Sequence, residues 1–361
     1  MKNVIPLFIV ITVLLGSCNS FRKTNEAVVS VADSSAIHFA NEKHLKNVKQ
    51  LSFGGENAEA YFSFDDSKLT FQHTDKPRGL MCDQIFCLNL QDSSKHLIST
   101  GKGRTTCSFF LPGDTQILYA STHLHSDSCP AEPAHVHGKY LWPIYADYEI
   151  FIADLKGNIV KQLTKNKFYD AEAVVSLKGN KILFTSDRSG DLELYTMNLD
   201  GSNVKQITNE LGYDGGANFS PDGSQIIWRA SHFDADSERV EYKENLKKHL
   251  VSPMKMELFI ANSDGTNRKQ LTHLGGANWA PNFSHDGKKV IFSSNHKTKA
   301  IPFNLYFVNT DGTNLEQLTY DKVFDAFAMF SNDGNKLVWC SNRNNGGTRE
   351  TNIFMADWLD R

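Results

Sequence analysis

The chain has 361 residues, 40% of them hydrophobic and 22% charged, with 24 Phe and a formal net charge of −3. This composition excludes a disordered, collagen-like or coiled-coil chain. The near-neutral balance also excludes a dedicated nucleic-acid binder, which needs a basic excess against phosphates.

The chain opens with an address. Lys2 supplies a positive n-region and Val4 to Leu15 forms an apolar run, too short to cross a bilayer but of signal-peptide length. Leu15-Gly16-Ser17-Cys18 then resembles a bacterial lipobox. The resemblance implies a signal peptide over 1–17, diacylation of the Cys18 sulfur, and a tether over 18–44. Several buried acyl chains, at about 0.8 kcal/mol per CH₂, hold firmly. Asn19 and Ser20 follow where an Asp would signal inner-membrane retention. The expectation is an outer-membrane lipoprotein on the periplasmic side, touching the membrane through its lipid anchor only. Five further cysteines (Cys82, Cys87, Cys107, Cys129 and Cys340) are an odd number with no zinc-type spacing, and sequence leaves their pairing open.

From residue 45 onward the chain repeats itself. One element is a strand entering a tight turn, as in Phe62-Ser63-Phe64-Asp65-Asp66, Phe219-Ser220-Pro221-Asp222-Gly223 and Phe330-Ser331-Asn332-Asp333-Gly334. Asp-Gly is hairpin chemistry. A third strand recurs six times, from Ile85-Phe86-Cys87-Leu88 to Ile353-Phe354-Met355-Ala356, and a closing Gln-Leu/Ile-Thr strand follows at 162–164, 206–208, 270–272 and 317–319. Closing steps from Leu51 through Leu97, Leu163, Ile207 and Leu271 to Leu318 are 46, 66, 44, 64 and 47 residues, so two units carry insertions. The pattern predicts an all-β, six-bladed β-propeller of four-stranded antiparallel blades over 45–361. Gln50-Leu51-Ser52 is a closing strand with no unit before it, and the last unit stops after its third strand. The N-terminal strand is therefore expected to close the ring.

These repeats resemble the TolB-type, WD40-like (PD40) propellers over roughly residues 45–361. The resemblance implies the fold more than a function, because such propellers serve scaffolds, peptidases and lyases alike. TolB itself has an additional N-terminal α/β domain and a signal without a lipidated Cys. The short tether expected after Cys18 departs from that plan and speaks against a Tol–Pal role.

Strand order sends the long insertions, 72–83, 121–147, 229–256 and 294–303, to one face of the disc, where binding residues usually gather. Aligned units put Asn57, Thr105, Asp170, Asp214, Asn278 and Asp325 at one position, where each innermost strand begins. With Arg104, Glu59 and Glu172 they are expected to ring the channel mouth as a binding face, or else to cap turns and bond backbone. A second column, at the end of strand two, holds Asp75, His123, Arg188, His232, His296 and Arg343. His123, His232 and His296, with His125, His135, His137 and Cys129 nearby, are candidate ligands for a divalent metal. Oligogalacturonate lyases resemble this arrangement in class, as propellers of related repeats with a His-held metal. In the insertion at 229–256, a helix is expected from Asp236 to the stop at Pro253, with Tyr242, Leu246 and Leu250 as its apolar stripe.

No Gly-x-Ser-x-Gly elbow, P-loop or dinucleotide glycine cluster occurs. The expected function is a periplasm-facing scaffold or binding module for an envelope protein or glycan, with no certain cofactor and no catalytic residues assigned. The rival is a metal-dependent oligosaccharide lyase or hydrolase using the His column.

Overall fold

A computed structural model describes residues 37–131 and 140–360. The signal stretch, Cys18, His135 and His137 lie outside the described residues. Six four-stranded antiparallel sheets follow one another along the chain. Their innermost strands are Glu56–Phe62, Thr105–Phe110, Asp170–Val175, Gly212–Phe219, Asn278–Phe283 and Asp325–Phe330, which start blades 1 to 6. The middle strands are buried on both faces, and separate apolar clusters, each drawn from two or more neighbouring blades, fill the space between sheets.

The repeated motifs have local physical causes. In the turn after strand one, the Ser63 hydroxyl donates to Asp65 at 2.6 Å and accepts the Lys68 amide at 2.9 Å. Ser220, Ser284 and Ser331 donate in the same way to Asp222, Asp286 and Asp333. Each hydroxyl holds its hairpin shut. At the closing strand the threonine hydroxyl accepts the second amide of strand three: Thr164 from Ile150, Thr208 from Leu194, Thr272 from Leu258 and Thr319 from Leu305, all at 2.8–2.9 Å. Ser99 accepts the Ile85 amide in the same way in blade 1.

Ser52 does it for Ile353, 301 positions away. The N-terminal strand Leu45–Gln50 pairs antiparallel with Asn352–Trp358 and is the outer strand of blade 6, as the repeat count predicts. A buried charge cluster locks this join. Arg343 bonds Glu42 at 3.0 Å and Asp325 at 2.9 Å, with Asp321 at 3.3 Å, and its guanidinium lies over Trp339 and Phe39. Burial, and the Asp325 charge beside it, raise the Asp321 carboxyl to about 6.

Two features of the insertions differ from the sequence expectation. The helix covers Asp236–Leu246 only. Leu250 has left it and pairs as a strand, Leu250–Val251 against Trp142–Pro143, so the insertions of blades 2 and 4 join over blade 3. Of the expected stripe, Tyr242 is buried with its hydroxyl donating to Asp191, Leu246 packs partly buried in the same cluster, and Leu250 is buried from the strand. A disulfide, Cys82–Cys129, ties blade 1 to the blade 2 insertion, and Cys87, Cys107 and Cys340 are free and buried. No helix among the described residues is long and apolar enough to cross a membrane.

Arg343→Ala leaves three buried carboxylates without their cation and is expected to cost roughly 3–5 kcal/mol of unfolding free energy. Urea unfolding checks this, and a loss under about 1 kcal/mol would show that the cluster does not secure the ring.

Candidate functional site

In blades 3 to 6 the two aligned columns turn out to be partners. Asp170 accepts from Arg188 at 2.7 Å, Asp214 bonds His232 at 2.9 Å, and Asp325 holds Arg343. Asn278 reaches His296 through the Ser294 hydroxyl, at 2.6 and 2.9 Å. Asn57, Thr105, Asp170, Asp214, Asn278 and Asp325 are all fully buried. They do not form a ring open to solvent at the channel mouth. The loops above cover the strand starts, and a buried carboxylate needs its partner there.

The His column follows the same logic. His123 lies on Phe151, His232 on Phe259 and His296 on Tyr306, at 4.5–4.8 Å between ring centres. Arg188 takes the equivalent place over Tyr195, and Arg343 over Phe354. Each imidazole therefore has its own blade, its own aromatic seat and its own polar partner. Ser121 bonds His123 at 2.9 Å. Burial lowers the pKa of His123 and His296; at His232 burial is outweighed by the Asp214 carboxylate, which raises it. His125 pairs with Asp147, and Cys129 is in the disulfide. The structure does not bring the three column imidazoles together, and among the described residues no three His, Cys, Asp or Glu side chains group as metal ligands.

What does face the axis lies two residues along. Every innermost strand slips register by a bulge, and the residue in it has positive φ: Glu59, Cys107, Glu172, Gly216, Ala280 and Phe327, with φ between 41° and 58°. A non-glycine residue held there costs roughly 1 kcal/mol or more. The bulge re-aims the side chain, so these six residues line the narrow part of the channel.

Arg229 enters this constriction from the second strand of blade 4. It donates to Glu172 at 2.5 Å and to the Tyr213 hydroxyl at 2.8 Å, between the rings of Trp142 and Tyr213. Gly216 makes room for it, because a Cβ there would collide with the guanidinium. Glu172 is saturated, accepting also from Tyr213, Thr185 and the Gly216 amide at 2.7–2.9 Å. Glu59 is not. Burial pushes its carboxyl up to about 7, only partly offset by the Cys107 thiol and the Arg229 charge, and its Oε2 has no partner. Arg229 Nε is likewise buried and unpartnered.

Above this floor opens a cavity of about 390 Å3 on the loop-rich face. Its walls are Trp142, Tyr145, Tyr148, Tyr169, Tyr213 and Trp279, and Arg104 sits at its edge, bonded to Asp83 at 3.0 Å. Among the described residues the hydroxyls of Tyr148 and Tyr169 and the amide of Gln72 make no side-chain hydrogen bond, although all three side chains line the cavity. Of the residues singled out in the sequence, Glu59, Arg104, Thr105 and Glu172 line this site. Arg229, Tyr148, Tyr169 and Trp279 were not marked, since only the bulges and the insertion joined over blade 3 bring them together.

Residues 145–251 match the family model described as TolB beta propeller domain. No curated protein matches the chain in sequence. Among solved structures, a putative TolB from Agrobacterium tumefaciens superposes with TM-score 0.54 at 17% identity, over 85% of this chain and 91% of that one. TolB from Acinetobacter baumannii gives 0.54 at 19%, over 75% of this chain and 56% of its own. An oligogalacturonate lyase from Vibrio parahaemolyticus gives 0.52 at 13%, over 85% and 79%. At such identities the likeness is one of fold.

A carboxyl that holds its proton more tightly when folded, near 7, than when unfolded, near 4.5, lowers stability above pH 7. That penalty fades as pH falls toward 4.5. Glu59→Gln is therefore expected to raise the melting temperature at pH 8 by about 2 °C or more and to change it little at pH 5, measured by calorimetry. Equal shifts at both pH values would contradict the assignment.

The chain is a TolB-like six-bladed β-propeller with an aromatic-walled cavity over its central channel.

Proposed function

We propose that this chain is an exported, Cys18-lipidated binding module of the cell envelope that takes a neutral glycan into the cavity above Glu59 and Arg229. The observation that carries the reading is the set of unengaged donors and acceptors inside aromatic walls: Glu59 Oε2, Arg229 Nε, Gln72, and the Tyr148 and Tyr169 hydroxyls. Burying polar groups without partners is unfavourable, and a ligand rich in hydroxyls supplies both kinds of partner at once. Sugar rings also present apolar faces that pack on Trp and Tyr.

Charge favours a neutral ligand. Arg229 cancels Glu172, Arg104 cancels Asp83, and Glu59 is close to half protonated at neutral pH. A polyanion would find no surplus of cations. Weighing against the metal-dependent lyase reading, His123, His232 and His296 each spend their contacts within their own blade.

Trp142 and Trp279 report on the cavity. Titrating residues 19–361 with neutral hexose and hexosamine oligosaccharides is expected to change tryptophan emission saturably. Tyr148→Phe and Tyr169→Phe should each weaken binding about tenfold, the worth of one hydrogen bond near 1.4 kcal/mol. A panel without any saturable response, or variants that bind as tightly as the parent, would contradict the reading. The anchor is tested separately: Cys18→Ala should abolish palmitate labelling and release the chain from the membrane fraction.

A further inference from the structure

The six most exposed large apolar side chains among the described residues are Phe53 (71%), Ile301 (67%), Leu124 (63%), Val240 (61%), Tyr140 (59%) and Met81 (57%). Topology puts all six on one face. Phe53 is in the connection from the closing strand into blade 1, Met81 is the second residue of the third strand of blade 1, and the other four lie between the second and third strands of blades 2, 4 and 5. Of the remaining exposed apolar residues, Leu97, Ile159 and Val160 belong to outermost strands at the edge of the disc, Val204 and Leu315 precede such strands, and Phe168 and Tyr320 lie in connections between blades on the same face as Phe53.

Isolated exposed apolar residues are ordinary, but this one-sided distribution is not. The tips are spread around the rim of the disc rather than gathered into one patch. A rigid protein partner would have to match each tip with its own pocket. A fluid, planar surface accepts all of them wherever they stand. Basic groups accompany two of the tips: the exposed Lys297 and Lys299 precede Ile301, and Arg78, ion-paired with Asp75, precedes Met81. An apolar tip with a neighbouring cation suits the boundary between acyl chains and anionic headgroups.

The chain's path agrees. Ile37, the first described residue, gives its carbonyl to Arg343, and Glu42 accepts the Tyr320 amide in the connection between blades 5 and 6. The first described residues therefore lie beside the loop-rich end of blade 6, before the chain crosses to start its strand at the opposite end, where Leu45 faces Trp358 and His44 bonds Leu359 and Glu316. The stretch 19–36 reaches at most about 60 Å when fully extended. A chain held at Cys18 can thus lay this face on a bilayer without passing around the disc.

We propose that the loop-rich face rests on an anionic phospholipid surface through these rim side chains, a contact additional to the lipid anchor. It follows that the cavity mouth opens toward the headgroup layer. This inference stands on the rim and not on the glycan reading, since the glycan titration is done in solution without lipid.

The test is flotation of residues 19–361 with vesicles of phosphatidylethanolamine containing about one quarter phosphatidylglycerol. The described residues close the ring by themselves, so this form folds without the lipid anchor. The domain is expected to float with the vesicles. The triple variant Phe53→Ser, Leu124→Ser, Ile301→Ser should partition at least about tenfold more weakly with an unchanged melting temperature, because each substitution removes exposed apolar area only. Val160→Ser, at the disc's edge, should float like the parent. Failure of the parent to float, equal flotation of the triple variant, or an equal loss in Val160→Ser would each overturn the proposal.

Discussion

A propeller stands or falls with the seam where its two chain ends meet. Five blades build themselves from consecutive strands, but the sixth lacks an outer strand until Leu45–Gln50 returns to it. Without that strand Asn352–Trp358 would be a bare edge, and every inter-blade surface would lose its circular constraint. The seam carries a buried charge cluster. Arg343 gathers Glu42, Asp321 and Asp325 in a fully buried site, and Ser52 supplies the hydroxyl that Thr supplies in four other blades. Such a cluster is costly to desolvate, so its contribution is better read as specificity: it fixes which strand closes the ring and in which register.

A closed ring makes the channel a shared property of six strands. The bulge at the same step in each strand places one strained residue per blade at the axis. Their chemistry is unequal: two carboxylates, a thiol, a glycine, a methyl group and a phenyl ring. The asymmetry decides where the site lies. Gly216 leaves the space that Arg229 fills, Arg229 saturates Glu172, and Glu59 across the channel remains with a raised carboxyl and a free oxygen. The insertions of blades 2 and 4, joined through Trp142–Pro143 and Leu250–Val251, then raise an aromatic wall above this floor. Repetition builds the scaffold, and departures from repetition build the site.

This division explains what the sequence disclosed. Blade number, strand content and the closing strand were legible because each rests on a local motif repeated many times, such as Ser220 with Asp222 or Thr208 with the Leu194 amide. The columns at Asp170 and His123 were legible as equivalent positions, but not as partners of one another, because pairing across a hairpin depends on register. A one-residue slip changes which face a side chain occupies. The bulge makes that slip, and it turns Glu172 rather than Asp170 toward the channel. The end of the helix at Leu246 was missed for a related reason: Leu250 keeps helical spacing in sequence yet is claimed by a strand from another insertion.

The central claim is that the unpartnered groups over the channel are completed by a hydroxyl-rich ligand. The most direct measurement is the crystal structure of residues 19–361 with the tightest-binding neutral oligosaccharide. A sugar ring is expected against Trp142 or Trp279, with hydroxyls bonded to Glu59 Oε2, Arg229 Nε and the Tyr148 hydroxyl. A sugar seated on the outer strands, with the cavity groups still unpaired, would contradict the claim.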